Sequence, residues 1–587
     1  MSDLSFPRIP KLCGADIELG NFVLGLPGVD TGSMASRALL AEIDGLPRPR
    51  VSYTPYTGSW SSYSCGRSKS GEAGSRDAPV AGVWNPQDWG RKYLPTNGGC
   101  IYIDLDHLEL CLPETLSAWD HASAWHAMLR IARRAMDSAN GRLPEGRSIQ
   151  VLVNNSDGHG HSYGSHLDFL VTRRLWDNII RRKPHYLGWL ASFQTSSIVY
   201  TGQGKVGSEN GAPEVPYQIS QRADYFETLV GTQTTFDRPI VNSREEHLCG
   251  NLRWSGDGAA PSRLHVIFFD NTLAHLSCLL KVGVMQLALA MMEGGRVNPA
   301  LVLDDPLAAL GAYSHDPRLR TRARLAAGGA ATAVELQFLF LREAKRFAAE
   351  GGFDGFVPRA AEILDLWEDT LQRLRAADWM GLAPKLDWVM KLLILQRTLR
   401  QRPSLSWDSP EIRHLDQAYA SLAPGGLYWA YERNGFAQRL VEEERIQHFC
   451  SEPPSDSRAW TRAMLLRAAQ PDWVESVDWD SIAFRVRDGG YWPSRRTIDM
   501  PNPLGMTAAE MAPLFAEQGR FPDLLDAIEE AAGLAGGGPS VPACPTSMEA
   551  LRQRGGTDAF VCQTGGSPGY FTASQGAERT ESGFGKE

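Results

Sequence analysis

The sequence lacks several features that would point directly to a function. Its nine cysteines are scattered and include no CxxC pair, which argues against a zinc ribbon and a disulfide framework and favours a reducing, cytoplasmic location. An excess of basic residues is also missing, since the formal net charge is -9. A nucleic-acid partner is therefore not expected.

Long apolar segments are scarce as well. The first ten residues contain no apolar run of the kind found in secretory signals, so none is expected. The best membrane candidate, 276–292, is about 17 residues long and contains Lys281, which predicts a buried core helix rather than a membrane span. The sequence also has no nucleophile elbow, Cys/His protease motif or Rossmann fingerprint, so a covalent serine or cysteine enzyme is disfavoured.

Apolar periodicity predicts an α+β protein with strands early and helices late. Residues 100–110 alternate between apolar and polar side chains, as a strand with one polar face does, and 149–153 and 264–269 are short buried strands. Apolar residues recur at helical spacing in 119–136 and through most of 331–402. Segregated strands and helices favour a sheet domain with a helical appendage.

Two polar segments interrupt this pattern. From about residue 51 to 88 the chain is rich in Ser, Gly, Tyr, Pro and Trp without a clear period, and loops of this length are usually functional or disordered. Residues 536–587 are rich in Gly, Ser, Pro and Thr, which predicts a flexible tail. We therefore expect a main domain at 1–430, a smaller C-terminal domain at 431–535 and the tail.

Carboxylates recur on the polar face of the first predicted strand. Asp16 and Glu18 are two residues apart within 12–30, so both side chains leave the same face. Paired carboxylates suit Mg²⁺, a hard cation that takes oxygen ligands. Solvated strand carboxylates are nevertheless the commoner explanation when such a pair stands alone.

A denser group of ionisable residues follows in 100–110. Tyr102, Asp104 and Asp106 share one face of the predicted strand, and His107 and Glu109 come directly after them. Groups of this kind on one buried strand repel each other unless a cation or a partner is present. The pattern favours a metal or acid/base site over an exposed sheet face.

Two further segments offer groups that bind phosphate. The loop at 154–166 is rich in glycine and contains three histidines; the backbone N–H groups of such loops can cradle phosphates, although an ordinary surface loop is the commoner case. Arg222 and Arg244 are candidate bidentate phosphate donors. Each alone is more typical of a surface ion pair.

Taken in order, these motifs resemble the Pup ligase/depupylase family (PafA/Dop) of glutamine synthetase-like carboxylate-amine ligases. The family's opening Gly-x-Glu-x-Glu-aromatic-Gly strand is similar to GADIELG at 14–20, and its catalytic strand is similar to NGGCIYID at 97–104 followed by HLE at 107–109. The family's nucleotide loop is similar to 154–168, and further similarity extends from 220–222 onward to about residue 500.

The resemblance implies a fold and an activity. The fold would be a glutamine synthetase-like curved antiparallel sheet packed with helices, with the main domain catalytic. The text of the 154–166 loop and the position of the 51–88 insert favour the Dop-like branch, a deamidase/depupylase that hydrolyses a C-terminal glutamine side chain or isopeptide of a Pup-like modifier. The alternatives are a PafA-like ligase working through an acyl phosphate and a non-catalytic relative that binds ATP or Pup.

The resemblance also implies roles for individual residues, with ATP and Mg²⁺ as cofactors and a Pup-like modifier or its conjugates as partner. Asp104 would be the catalytic carboxylate. Arg222, Arg244 and Lys205 would hold phosphate oxygens. The metal ligands would be Asp16, Glu18, Tyr102, Glu109, His166 and His247.

Some positions depart from the family pattern. Asp16 replaces a glutamate, so this metal ligand would be one methylene shorter. Leu167 and His275 each stand where the family has a glutamate, and the segment 244–247 lacks the family's proline. The departures imply an altered charge around the nucleotide and metals, with a changed substrate or a weakened activity among the consequences.

Overall fold

A computed structural model describes residues 7–26, 31–47, 90–245, 248–249, 258–487, 493–517 and 519–535. The polar segment at about 51–88 and the tail at 536–587 lie outside these residues. Residues up to Ala532 form one compact unit, and 533–587 are a separate unit of which only 533–535 are described.

Most strands of the described residues precede α5 (His275–Glu293), and a long run of helices follows it before the last three strands. The strands are β1 Cys13–Leu24, β2 Lys92–Tyr93, β3 Cys100–Asp104, β4 His107–Thr115, β5 Ser148–Leu152, β6 Ser165–Thr172, β7 Lys205–Val206, β8 Tyr217–Gln218, β9 Thr228–Gly231, β10 Pro239–Asn242, β11 Pro261–Val266, β12 Ala323–Arg324, β13 Ala330–Ala331, β14 Val474–Val477, β15 Ser481–Val486 and β16 Ser494–Asp499. The helices are α1 Gly32–Ala41, α2 Ala118–Asn140, α3 Arg173–Asp177, α4 Pro184–Thr201, α5 His275–Glu293, α6 Pro306–Ser314, α7 Ala333–Ala349, α8 Ala360–Arg375, α9 Trp379–Leu382, α10 Asp387–Gln401, α11 Pro410–Ala420, α12 Leu427–Arg433, α13 Glu443–Ser451, α14 Ala459–Ala468, α15 Ala508–Ala516 and α16 Phe521–Ala535.

The main sheet is antiparallel, with strand order β11-β6-β1-β4-β3-β2. Strand β5 pairs with the second half of β1. One face carries buried apolar side chains such as Ile17, Leu110 and Phe169, and α2 and α5 pack against these strands. Because side chains alternate along a strand, the intervening polar residues all leave the opposite face.

The segment 100–110, expected to be one strand, is a hairpin. Strand β3 ends at Asp104 and β4 begins at His107, while Leu105 at the turn has φ 51, a left-handed conformation typical of tight hairpin turns. This differs from the expected single strand because alternation alone does not mark a two-residue turn. The turn removes Asp106 from the strand face and sets Tyr102 directly opposite Glu109.

The apolar segment near residue 280 is the core helix that the sequence predicted. Helix α5 is long and apolar enough to cross a membrane, yet it is entirely buried inside the fold. Lys281 on this helix is also buried, and its ammonium donates to Ser165 Oγ at 3.1 Å and lies 3.9 Å from the Trp125 ring centre. The buried cation is thus satisfied by the core helices and β6.

The C-terminal part contains its own sheet, β14–β15–β16. A second group of buried apolar side chains links it to α14, α16 and the edge strands β2 and β3, whereas α13 belongs to the main core. The main core thus extends to Cys450, past the expected boundary at residue 430. The domain boundaries stay a prediction.

Candidate active site on the polar face of the sheet

The polar face of the main sheet forms one wall of a cavity of about 1450 Å³. Side chains from β1, β3, β4, β6 and β11 line it, together with the loop that precedes β6. The cavity therefore collects residues that are far apart in sequence. Those predicted from the sequence that line it are Asp16, Glu18, Tyr102, Asp104, Glu109, His166, Arg222 and Arg244.

A cluster of three carboxylates lies at the centre of this wall. Strand register sets Glu18 of β1 opposite Glu109 of β4, and β3 brings Asp104 to the same place. The ligand oxygens of Glu18, Asp104 and Glu109 all lie within 4.8 Å of one another. An all-oxygen set of this kind matches the ligands that Mg²⁺ takes in proteins.

The electrostatics of the cluster also fit a bound cation. Burial, with the neighbouring carboxylates, raises the pKa of Glu109 well above its usual range. Burial likewise raises the pKa of Glu18, and burial together with Asp168 raises that of Asp16 to about 7. Glu109 Oε2 is buried without a hydrogen-bond partner among the described residues. Carboxylates held this close in a largely buried site are expected to gain from a cation.

Positive charge reaches the cluster from Arg222, which packs against Gly164 in the loop before β6. Glu18 accepts a hydrogen bond of 2.5 Å from the Gly164 N–H, and a Cβ at Gly164 would lie 2.4 Å from Arg222 Nη1. Glycine is therefore needed for the arginine to reach the site. Arg222 is fully buried, donates to the Ile267 carbonyl at 2.6 Å, and has its pKa lowered to about 9 by burial and by Arg238.

Two predicted site residues are not brought to the cavity by the described part of the chain. Lys205 does not line it, because its ammonium is paired with Glu209 at 2.8 Å and Asp224 at 3.3 Å. A lysine neutralised in this way is a poor phosphate donor. His247 lies outside the described residues, so its predicted role as a metal ligand stays a prediction.

Sequence reasoning did not assign a second polar group in the cavity wall. Asp168 of β6 accepts from Arg263 at 3.0 Å and is 2.8 Å from His265 Nδ1. Although burial raises the pKa of Asp168, Arg263 and His265 hold it well below its usual range. The sequence does contain a signal for this group. His166 and Asp168 are two residues apart, as are Arg263 and His265, and this spacing sets each pair on one face of its strand.

Replacing Glu109 with Gln is expected to stabilise the metal-free protein but to abolish its stabilisation by Mg²⁺. The neutral amide needs no proton to enter the buried cluster, whereas burial and the neighbouring carboxylates disfavour the charged form of Glu109 by raising its pKa, so the free energy of unfolding should rise in the absence of metal. Thermal unfolding with EDTA and with excess Mg²⁺ measures both effects. Glu227→Gln, which changes another cavity-lining carboxylate, is the control. An unchanged response of Glu109→Gln to Mg²⁺ would contradict the assignment.

The sequence matches a known protein family and several of its members. Residues 60–483 match the family described as Pup-ligase protein. A depupylase from Acidothermus cellulolyticus is 35% identical over 453 residues, which cover 75% of this chain and 83% of the relative. A Pup–protein ligase from Acidimicrobium ferrooxidans is 31% identical over 423 residues, covering 71% of this chain and 88% of the relative. Both activities thus occur among the similar proteins.

The fold is similar to two solved structures of the Pup ligase PafA. The complex of PafA with Pup aligns with a TM-score of 0.68 at 23% identity, covering 96% of this chain and 99% of that one. PafA in complex with ADP aligns with a TM-score of 0.62 at 25% identity, covering 81% of this chain and 99% of that one. The expected α+β class, an antiparallel sheet packed with helices, is confirmed.

Proposed function

Because the chain belongs to the Pup-ligase protein family, we propose that it is a Dop-like deamidase/depupylase. It would hydrolyse the side-chain amide of a C-terminal glutamine, or the corresponding isopeptide, on a Pup-like modifier. The observation that carries this choice is the depupylase match, which exceeds the ligase match in identity and in its share of this chain. Free thiols at the described cysteines suit the cytoplasm as its location.

Glu18 and Glu109 would hold Mg²⁺, with Tyr102, Asp16 and His166 completing the wall around them and Asp104 beside these carboxylates. When bound, the cation supplies positive charge that polarises the carbonyl and stabilises the developing oxyanion. Tyr102 lies directly opposite Glu109 across β3 and β4, and both side chains line the cavity. The family role assigned to ATP fits a cavity of about 1450 Å³, a size that exceeds most ligand pockets.

Asp104 is the proposed proton carrier. It would accept a proton from the attacking water as the oxygen adds to the amide carbon, then return a proton to the departing nitrogen as the C–N bond breaks. Arg222 and Arg244 line the same cavity. Their guanidinium groups would bind phosphate oxygens of the nucleotide and position it, because planar guanidinium groups match phosphate geometry.

A PafA-like ligase is the second candidate, supported by the ligase relative and by the PafA fold. In that direction an acyl phosphate forms from ATP, and Asp104 would deprotonate the incoming lysine amine instead. The same residues serve both reactions. The two reactions differ in the fate of ATP, which a ligase consumes and a hydrolase retains.

The proposed function is tested with a glutamine-ended Pup, ATP and Mg²⁺, by measuring released ammonia and ADP in one reaction. Hydrolysis predicts ammonia with far less than one ADP per amide cleaved. A ligase instead predicts about one ADP per bond formed, and only with a glutamate-ended Pup and a lysine-bearing acceptor. If calorimetry shows that ATP binds but neither reaction occurs, the protein is a non-catalytic relative.

A further inference from the structure

A second cluster adjoins the all-oxygen one and has a different donor set. The ligand atoms of Asp16, Glu109 and Cys111 all lie within 4.8 Å of one another. Their backbone positions explain this closeness, because Asp16 and Cys111 are direct partners across β1 and β4, and Glu109 is two residues from Cys111 on the same face. Antiparallel partners of this kind have Cα atoms about 5 Å apart.

The Cys111 thiol is the feature that a magnesium site does not explain. Mg²⁺ takes oxygen ligands, whereas thiolates favour Zn²⁺ and other soft or borderline cations. Two observations show that the group can receive an ion. All three residues line the cavity, and Glu109, only 2% exposed, leaves Oε2 buried without a hydrogen-bond partner among the described residues.

We propose that Asp16, Glu109 and Cys111 bind a thiophilic divalent cation of the Zn²⁺ class in preference to Mg²⁺. Three protein ligands and a position open to the cavity match the arrangement of non-structural zinc sites. The aspartate at position 16, shorter by one methylene than the family glutamate, leaves room for the larger sulfur atom opposite it. Glu109 belongs to both clusters, so its carboxylate would contribute to this site and to the magnesium site at Glu18.

The Cys111 thiol and the Asp16 carboxylate lie on the same face at directly opposed positions of β4 and β1. On binding, the thiol proton leaves to solvent, because the thiolate is the ligand. The proposal goes beyond the proposed function, since it concerns the donor set alone and holds whichever amide is the substrate.

The test uses the full chain stripped of metal. Zn²⁺ binding is measured by calorimetry, and Co²⁺ serves as a spectroscopic probe whose sulfur-to-cobalt charge-transfer band reports a thiolate ligand. Cys111→Ser is expected to abolish the band and to weaken Zn²⁺ binding at least about 100-fold. Loss of a residue that only supports a metal ligand already lowers metal affinity about 10–100-fold, and loss of a ligand itself should cost more. Cys111→Asp is expected to shift the preference toward Mg²⁺ and Mn²⁺.

Cys249→Ser is the matched control, because Cys249 also lines the cavity but belongs to neither ligand cluster; it should retain both the band and the affinity. A band that survives Cys111→Ser in a folded variant overturns the proposal, as does absence of Zn²⁺ binding to the unaltered protein. Amide cleavage by the unaltered protein in Mg²⁺ is measured separately. A failure of the zinc site is thereby distinguished from a failure of the depupylase assignment.

Discussion

Asp104→Asn is expected to lower the rate of amide cleavage by about 10²–10⁴-fold, the range that a positioned general acid–base residue contributes. Asparagine has nearly the same size as aspartate and keeps one acceptor oxygen, so the hairpin of β3 and β4 should form as before. It cannot carry a proton between water and the leaving nitrogen. The measurement is kcat/KM for ammonia release from a glutamine-ended Pup, with ATP affinity measured in parallel.

Asp106→Asn is the matched control for this experiment. Asp106 is an exposed residue of the same hairpin turn and lines the same cavity, yet it is absent from the carboxylate clusters. Its replacement removes one negative charge from the cavity without touching the proton carrier, and we expect less than about a three-fold change, as screening by solvent is strong at exposed sites. Full activity of Asp104→Asn would refute the assigned role.

The sequence predicted which side chains share one face of a strand better than it predicted which strands pair with each other. The two-residue spacing of Asp16 and Glu18 correctly assigned both to one face, since the period of a strand is a local property. The resemblance then brought together residues that no local pattern connects. His166 lies beside Asp16 only because β6 pairs with β1 across about 150 residues of chain, and such a pairing is set by the whole fold.

Two departures from the predicted site have structural causes that the sequence does not reveal. The turn at Leu105 converts one apparent strand into two, which sets Tyr102 directly opposite Glu109. The family resemblance implies a phosphate-binding role for Lys205, but in the structure Glu209 and Asp224 neutralise the charge of its ammonium group. Asp224 reaches Lys205 through the fold from 19 residues away, beyond the range of any helical or strand period.

A buried ion-pair network joins the C-terminal sheet region to the main sheet. Glu114, at the end of β4, binds Arg462 at 2.5 Å and Arg458 at 2.9 Å. Arg462 is fully buried and also donates to the Gly98 carbonyl at 2.8 Å and the Trp479 carbonyl at 2.9 Å. One side chain thus connects β4, the residues before β3 and the segment between β14 and β15.

This network also makes stability depend on pH. Although burial raises the pKa of Glu114, the two arginines outweigh it and hold that pKa at about 2. A carboxylate with a depressed pKa stabilises the folded state at pH values above its unfolded pKa of 4.5, and this contribution is lost as the pH falls toward 2. Glu114→Gln should therefore flatten the decline in the free energy of unfolding between these pH values.

Arg462→Met is expected to lower the free energy of unfolding by about 3–5 kcal/mol at pH 7, the cost of breaking a buried ion pair from one side. The variant leaves part of the Glu114 charge and two backbone carbonyls without their donor, while methionine retains most of the apolar stem. Chemical denaturation measures the change.

Arg485→Met is the control, since Arg485 forms a largely exposed pair with Glu475 on the same C-terminal sheet. Its replacement should change the free energy of unfolding by less than about 1 kcal/mol. If both variants unfold at the same denaturant concentration, the network does not hold the two sheets together, and the apolar contacts between them must do so instead.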